Sequence, residues 1–350
     1  MNKTIVLTCL IALAVLGLGW TSDEGMTAPV TLDTPVWEVL KKLGAAAPKH
    51  DLRTDLEGVD PEMGKNLVLY GYKKKGQGLG TPQSKHFKCT ACHNVQREDP
   101  DLSVSDPEAR LTYAQEMGLP FLQGTTLYGA VDRSSFYNDD YEKKYGDLVK
   151  PTRDNLREAI QLCAIECSQG RRLDEVELES VLAYLWTLGL KLSDLQLEST
   201  ELTQIQDAVA TIQSGQVDET TIAQIREHYL DGSPAHFVEP PADRKAGAGP
   251  VGRPDRGKII YELSCQHCHA GERYSFYNID DSNTSFKHLA RHMSRYTRYS
   301  LYQVSRYGTS PLPGKRAYMP QYTREKMSDQ QLEDLRAYIE LMADSGKAVK

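Results

Sequence analysis

Apolar residues recur three and four positions apart in two stretches of the chain, which indicates two amphipathic helices. The first stretch covers 174–188 and the second covers 328–342. Side chains at this spacing fall on one face of a helix and form a single apolar stripe. The stripes consist of Leu178, Val181, Leu182, Leu185 and Leu188 in the first helix and of Leu332, Leu335, Ile339 and Met342 in the second.

Both predicted helices begin with the sequence pattern of a capping box. Asp174 is followed three residues later by Glu177, and Ser328 is followed three residues later by Gln331. In a capping box each of these two side chains hydrogen-bonds to a backbone N–H of the other residue, so the pattern marks a helix start. Gly189 is the expected end of the first helix.

The segment between the two halves predicts two short helices and a linker. Residues 198–232 have helical character on either side of Ser214-Gly215, and residues 233–254 are rich in Pro, Gly and Ala, which is typical of an exposed linker. Strand signals are sparse, so we predict an all-α fold. The predicted parts are a first domain at 30–192, a helical pair with its linker at 193–251, and a second domain at 252–346.

The first twenty residues carry the pattern of an export signal. Lys3 precedes an apolar run over 5–16, and Gly17-Leu18-Gly19 supplies a small-x-small cleavage pattern. The run is shorter than a typical membrane-spanning helix, although an uncleaved N-terminal anchor stays open as an alternative. Cys9 lies inside this run and is given no structural or redox role. We therefore expect a periplasmic location for the folded part.

The chemistry of the chain is concentrated in two Cys-x-x-Cys-His pentapeptides, at 89–93 and 265–269. This spacing is the attachment signature of c-type haem. The two thiols bind the two vinyl groups of one porphyrin, and the histidine that follows supplies an imidazole to the iron. The sequence therefore predicts two covalently bound haem c groups in two cytochrome c-like domains. Haem 1 would be held by Cys89, Cys92 and His93, and haem 2 by Cys265, Cys268 and His269.

The two halves follow the same order of elements. Gly64-Lys65 begins the segment that leads to the first pentapeptide, and Gly257-Lys258 begins the corresponding segment before the second. Each half ends in the predicted helix with its Ala-Tyr pair. The first half carries about 22 extra residues, which surface loops tolerate at low entropic cost. We place most of them in the polar, aromatic-rich stretch 128–145 as a surface insertion.

The iron of haem 2 needs a second axial ligand, and Met319 is the candidate. It is followed by Pro320 and lies on a loop nine residues before Ser328, which matches the arrangement of class I cytochromes c. His288 and His292 are the competitors. They are four residues apart and share one helix face, which we expect to be basic and solvated or close to a haem propionate.

The second axial ligand of haem 1 stays open at this point. Cys163 and Cys167 lie on the apolar stripe of a predicted helix over 154–167. Three interpretations compete: one thiolate ligates the iron, the two cysteines form a disulfide, or both are buried free thiols. Met117 is the fallback ligand. A disulfide between positions i and i+4 of a regular helix is geometrically awkward. A thiolate would give haem 1 a lower potential than a methionine-ligated haem 2.

The run Ile160–Arg171, with the Ala183-Tyr184-Leu185 helix after it, resembles the first haem domain of dihaem thiosulfate dehydrogenases and related sulfur-oxidation cytochromes. The resemblance implies that Cys163 is the sixth ligand of an active-site haem, with catalytic importance in an enzyme. It also implies an electron-exit haem with methionine or lysine, which suits Met319. Cys167 and Ala159 depart from the family pattern, which has a serine four residues after the ligand cysteine and a basic residue four before it.

Four arginines are candidates for a positive pocket over haem 1 that would take a small sulfur oxyanion, because the planar guanidinium binds oxyanions in a bidentate manner. The plain alternative is that they pair with haem propionates or face water. They are Arg133, Arg153, Arg171 and Arg172.

The net charge of the chain limits the classes of partner that it is expected to bind. The 350 residues carry a formal net charge of −7, which does not suit a nucleic-acid binder and favours a redox partner that presents a basic patch. The leading hypothesis is a dihaem electron carrier between redox proteins. The alternatives are an oxidoreductase acting on thiosulfate or tetrathionate at haem 1 and a subunit of a membrane respiratory complex, so enzymatic activity stays open.

Overall fold

The computed structural model describes residues 29–53, 55–74, 80–309 and 318–345. The predicted export signal lies outside these residues. In the described part the chain is helical, without strands, and β pairing is limited to the isolated bridges Pro35–Lys191 and Ser135–Gly232. The all-α prediction is confirmed. No helix in these ranges combines the length and the apolar character needed to cross a bilayer.

The α-helices of the described residues alternate with short 3₁₀ turns, and two of them are extended by a π-helical turn, at Cys163–Cys167 and at Tyr261–Cys265. The α-helices are α1 Val36–Lys42, α2 Pro61–Tyr70, α3 Pro107–Met117, α4 Asp139–Tyr145, α5 Leu156–Leu162, α6 Glu175–Trp186, α7 Ser199–Thr211, α8 Glu219–Glu227, α9 Pro254–Ile260, α10 Gln266–His269, α11 Asn283–His292, α12 Leu301–Tyr307 and α13 Asp329–Ser345.

The two capping boxes form as the sequence predicts. At the start of α6, the Asp174 N–H donates to Glu177 Oε2 at 2.9 Å and the Glu177 N–H donates to Asp174 Oδ1 at 2.8 Å. At the start of α13, the Ser328 N–H donates to Gln331 Oε1 and the Gln331 N–H donates to Ser328 Oγ, both at 3.0 Å. Helix α6 ends at Trp186, just before the predicted stop at Gly189.

The same helix crossing occurs in both halves. Helix α2 packs on α6 at Gly64, where a Cβ atom would lie 1.8 Å from the carbonyl oxygen of Ser180. Helix α9 packs on α13 at Gly257, where a Cβ atom would lie 1.9 Å from the carbonyl oxygen of Asp334. Ser180 and Asp334 each lie four residues before the tyrosine of their Ala-Tyr pair. The repeated order of elements is therefore also a repeated packing register.

Three clusters of buried apolar side chains form the interior. The first core joins α2, α5 and α6, the second joins α9, α11 and α13, and the third joins α1 to α7 and α8. The helical pair between the halves thus packs against the first half, which the sequence left open. The innermost residues are Leu67, Val68, Leu182 and Leu185 in the first core, Ile260, Tyr261, Phe286 and Leu332 in the second, and Val36, Val39, Ile205 and Ile225 in the third.

Helix α3 comes from the first half of the sequence but packs in the second core. Leu111, Ala114 and Phe121 are buried among residues of α9, α11 and α13. The Phe121 N–H also donates to the Leu263 carbonyl oxygen at 2.9 Å. The two halves therefore share hydrophobic packing, and the domain boundaries drawn from sequence stay a prediction.

A buried cluster of charges adds to this contact between the halves. Glu98, Arg110 and Lys326 are 1%, 2% and 7% exposed. Glu98 accepts hydrogen bonds from Lys326 Nζ at 2.8 Å, Asn94 Nδ2 at 3.0 Å and the Thr126 N–H at 3.1 Å. Burial alone would raise the pKa of Glu98, but the charges of Arg110 and Lys326 hold this pKa well below its usual range. The carboxylate is thus charged and paired.

The segment 233–254 is irregular, as predicted, but it is not an exposed linker throughout. Ala235 and Arg244 are buried, at 5% exposure each. The His236 N–H donates to Glu325 Oε2 at 2.8 Å, and Arg244 Nη1 donates to the Arg295 carbonyl oxygen at 2.8 Å. The prediction of exposure is wrong at these positions because backbone and guanidinium groups of the segment bond to the second half.

Candidate metal centres

The first pentapeptide holds its histidine by one ring nitrogen. Cys89–Ala91 form a 3₁₀ turn, and His93 Nδ1 donates to the Thr125 carbonyl oxygen at 2.6 Å. Residue 124 is glycine, and a Cβ atom there would lie 2.6 Å from His93 Cε1. Burial is the main cause that lowers the pKa of His93. The ring is therefore neutral, and Nε2 keeps a free lone pair for a metal.

The second pentapeptide repeats this arrangement. His269 ends α10, and its Nδ1 donates to the Tyr277 carbonyl oxygen at 2.6 Å. Burial lowers the pKa of His269 as well. Both motif histidines thus present Nε2 as the atom available to iron.

Cys163 faces His93. Its Sγ lies 4.0 Å from His93 Nε2. Zinc–imidazole and zinc–thiolate bonds are about 2.0 and 2.3 Å long. A metal with bonds of this length, held in line between the two atoms, needs a gap of about 4.3 Å. The observed 4.0 Å between Cys163 Sγ and His93 Nε2 is close to this gap.

The predicted regular helix over 154–167 is wrong in its last turn. Helix α5 ends at Leu162, and a π-helical turn follows at Cys163–Cys167. π-turns place residues on a different face than α-helical spacing does and often occur at functional sites. Both cysteines are free thiols. They share a hydrogen bond, which raises the pKa of Cys163 and lowers the pKa of Cys167.

Met117, the fallback ligand, lies elsewhere. Its side chain is at the end of α3 and is 55% exposed. A ligand of a buried haem iron is enclosed with the haem, so the structure removes Met117 from the candidates.

The stretch 128–145 is more than a surface insertion. Tyr137 hydrogen-bonds to Cys167, and its ring packs edge-on against Tyr141 at 4.8 Å between ring centroids. Tyr141 in turn packs against Phe237 at 5.0 Å. Burial raises the pKa of Tyr137. The extra residues of the first half therefore form an aromatic wall beside the two distal cysteines, which sequence length alone did not reveal.

The residues around the second pentapeptide line a cavity of about 640 Å³, here called the shared cavity. Its walls include Cys265, Cys268, His269 and Met319. The volume falls in the range of about 300–1,000 Å³ that is usual for cofactor sites.

The loop that carries Met319 is fixed to the end of α12. The Met319 N–H donates to Thr309 Oγ1 at 2.8 Å, and the Thr309 N–H donates to the Met319 carbonyl oxygen at 2.9 Å. His288 also lines the shared cavity, and its ring lies 4.6 Å from the ring of His292 and beside Tyr277. This face of α11 is thus packed against aromatic rings as well as basic.

The two pentapeptides lie against each other. The shared cavity is also lined by Phe87, Ala91 and Cys92 of the first pentapeptide region. Cys268 Sγ lies 4.0 Å from the Ala91 carbonyl oxygen. This contact could not be predicted from the sequence, because the two motifs are separated by the whole of α3 to α9.

Three of the four arginines proposed for an oxyanion pocket have partners within the chain. Arg133 donates to the carbonyl oxygens of Thr126 and Tyr128, both at 3.2 Å. The other paired arginines bind carboxylates, and Arg172 is exposed. The pairs are Arg153 with Glu142 at 2.8 Å and Arg171 with Glu177 at 2.6 Å. Arg133, Arg153 and Arg171 thus already have intramolecular partners, and the oxyanion pocket stays a prediction.

Among the residues that the structure describes, no group of three or more His, Cys, Asp or Glu side chains is placed to hold a bare metal ion.

Comparison with known families supports a haem-binding domain in the second half. The model of the family described as cytochrome C oxidase, cbb3-type, subunit III matches residues 252–339. No curated protein and no solved structure matches the chain. The matched part, about a quarter of the chain, extends from the start of α9 into α13 and contains the second pentapeptide.

This match defines a c-type cytochrome domain, a class of domain that binds haem covalently and transfers electrons. The chain therefore contains at least one such domain, and the redox partners of such domains are proteins.

Proposed function

We propose that the chain is an exported dihaem cytochrome c that relays electrons between redox proteins. The observation that carries the proposal is the pair of equivalent histidines, each tied through Nδ1 to a backbone carbonyl, with Cys163 Sγ 4.0 Å from Nε2 of the first. The repeated crossings at Gly64 and Gly257 support a second haem domain in the first half.

The proposed ligands differ between the two sites. Cys89 and Cys92 would attach haem 1, with His93 and Cys163 as its iron ligands; Cys265 and Cys268 would attach haem 2, with His269 and Met319 as its iron ligands. When bound, haem would supply a one-electron iron couple at each site. The Cys163 thiolate would stabilise the oxidised iron, whereas the neutral Met319 thioether would not, so the site at His93 would have the lower potential. The contact between Cys268 and the Ala91 carbonyl would hold the two sites close enough for electrons to pass from the first to the second.

Export and assembly follow from other features. The N-terminal pattern at 1–20 supports export to the periplasm. The matching family is named as a subunit of an oxidase, which supports association with a membrane respiratory complex as a further proposal. Copurification of the chain with membrane redox proteins tests this, and a chain recovered free after gentle lysis contradicts it.

Turnover of thiosulfate or tetrathionate has narrower support. It rests on the resemblance around Cys163, and Arg133, Arg153 and Arg171 have other partners. An assay of the parent and of Cys163→Ala with both compounds decides between enzyme and carrier.

The experiment for the haem 1 site uses a matched pair of variants. In low-spin EPR the parent should show thiolate-type g values, and Cys163→Ala should lose them. Cys167→Ala should keep them, since Cys167 is a neighbour and not the ligand. The haem 2 absorption serves as the folding control in all three proteins. Thiolate g values that survive in Cys163→Ala contradict the assignment.

A further inference from the structure

Exposed aromatic side chains surround the mouth of the shared cavity. Phe276, Tyr296 and Tyr299 line the cavity and are nevertheless 42%, 69% and 44% exposed. Tyrosine and phenylalanine are enriched in the centres of protein–protein interfaces, and grouped exposed aromatic rings on one surface mark interaction sites. This aromatic group lies at the edge of the site proposed for haem 2.

Basic residues accompany these aromatic rings. The chain has a formal net charge of −7, yet residues 283–309 contain no aspartate or glutamate. Four exposed cations occur there, Lys287, Arg291, Arg295 and Arg298, here called the basic rim. In the part of the chain that the structure describes, no carboxylate forms a salt bridge with any of the four. The local charge of this region is therefore positive, opposite in sign to the net charge of the protein.

Contacts place the basic rim beside the cavity. Arg298 lines it and lies over the Tyr299 ring at 5.2 Å. Lys287 and Arg291 flank His288, a cavity residue of α11. The pKa of His292, whose ring packs on Tyr299, is lowered first by desolvation and then by charge, including that of Arg295 and Arg291. Arg291 and Arg295 thus both lie close enough to act on this imidazole.

The acidic residues next to α11 lie away from most of the basic rim. The nearest in sequence, Asp280 and Asp281, precede α11, and Asp280 accepts hydrogen bonds from the Ser282 N–H and from Ser285 Oγ. They lie at the helix end remote from Arg291 and Arg295. No aspartate or glutamate is among the described residues that line the shared cavity, whereas Arg298 is, so the lining carries positive charge.

We propose that the basic rim and the aromatic side chains beside it form the docking surface for an acidic redox protein that exchanges electrons with haem 2. The proposal rests on the proposed function, because it takes the shared cavity as the haem 2 site. Complementary charge accelerates encounter between redox partners, and the aromatic rings supply short-range contact. The basic partner expected from the net charge of −7 is replaced by an acidic one at this face.

Stopped-flow oxidation of the reduced dihaem protein tests the surface. The probes are an acidic plastocyanin and a basic cytochrome c of the mitochondrial type. The rate with the acidic probe should fall steeply as salt is raised, because screening removes the attraction. The rate with the basic probe should stay level or rise.

Charge reversal locates the effect. Arg295→Glu with Arg298→Glu should slow oxidation by the acidic probe at low salt by about tenfold, within the range of electrostatic steering. The control, Lys41→Glu with Lys191→Glu, makes the same change in net charge beside α1 and should change the rate less than twofold. Equal slowing by both pairs, or by neither, overturns the docking surface.

Failure of the docking surface is distinguishable from failure of the proposed function. Haem content and the reduced spectrum are measured first on every variant. A protein that carries two haems and passes electrons to both probes without dependence on salt or on Arg295 and Arg298 refutes the docking surface alone. A protein without haem, or one that neither probe oxidises, refutes the function on which it rests.

Discussion

At the scale of single residues, the motif histidines are oriented by their backbone partners. His93 and His269 each donate through Nδ1 to a carbonyl oxygen at 2.6 Å. This bond selects the tautomer with a free Nε2 and fixes the plane of the ring, which is the usual role of such a partner for a metal-bound histidine. The Thr125 carbonyl reaches His93 because the preceding residue, Gly124, lies close to the His93 ring.

Replacing Gly124 by alanine should therefore disturb haem 1 selectively. The new Cβ would lie 2.6 Å from His93 Cε1 and from the Cys92 carbonyl oxygen, so the ring or the backbone must move. We expect an overpacking cost of about 1–3 kcal/mol. The measurements are the thiolate-type EPR signal and the thermal midpoint of unfolding.

The control is Gly189→Ala, where the nearest atoms would lie at an ordinary contact distance of 3.4 Å. It should leave both measurements close to those of the parent. An unchanged EPR signal in Gly124→Ala would show that the close approach at residue 124 does not orient His93.

The chemical role of a residue could be predicted where it depends on a sequence motif of a few neighbouring positions. The Cys-x-x-Cys-His spacing names the attachment residues without any structure. The choice between Cys163 and Cys167 could not be predicted, because the π-turn at Cys163–Cys167 breaks the helical spacing on which sequence reasoning depends. Met117 was a candidate by residue type alone, and only its exposure removed it.

At the scale of elements, two glycines permit the repeated helix crossing. Gly64 lets α2 approach α6, and Gly257 lets α9 approach α13, with no room for a Cβ atom in either place. The amphipathic stripes and capping boxes of α6 and α13 were predictable since they depend on neighbours in sequence. The crossing itself depends on which backbone atoms of a distant helix come close, and the sequence does not contain that information locally.

Alanine at either glycine should damage its own half. Gly64→Ala should lower the occupancy or alter the spectrum of haem 1, and Gly257→Ala should do the same for haem 2, because each helix supports the pentapeptide that follows it. Each variant is the control for the other. The measurements are haem content per chain and redox titration of the two centres, and identical effects on both haems from both variants would contradict independent crossings.

At the scale of the whole molecule, a shared core and a buried charge cluster join the halves. Helix α3 packs in the second core, and Glu98 bonds to Lys326 across the sequence at 2.8 Å. Long-range contacts of this kind cannot be inferred from motif spacing. The sequence-based division into domains did not anticipate them, nor the contact between the two pentapeptides at Ala91 and Cys268.

Glu98→Gln should destabilise the protein by about 3–5 kcal/mol, since it leaves Arg110 and Lys326 buried without their counter-charge. The matched control is Glu62→Gln, whose exposed bond to Lys65 should contribute at most about 1 kcal/mol. Unfolding in urea at neutral pH measures both. Equal stability of the two variants would contradict the structural importance of the cluster.

The same variant gives a pH test. The pKa of Glu98 is lowered in the folded protein, so its contribution to stability is present above the unfolded pKa and is lost as pH falls through lower values. The parent should lose stability on acidification below pH about 4.5 more steeply than Glu98→Gln.

The central claim is that two haem groups are covalently attached to this chain, one at each pentapeptide. The most direct measurement is the intact mass of the mature protein, produced in a host with a working cytochrome c maturation system. The account predicts the mass of the polypeptide plus two haem groups. A mass with a single added haem would leave only the domain at 252–339 as a cytochrome, and a mass of bare polypeptide would contradict the account entirely.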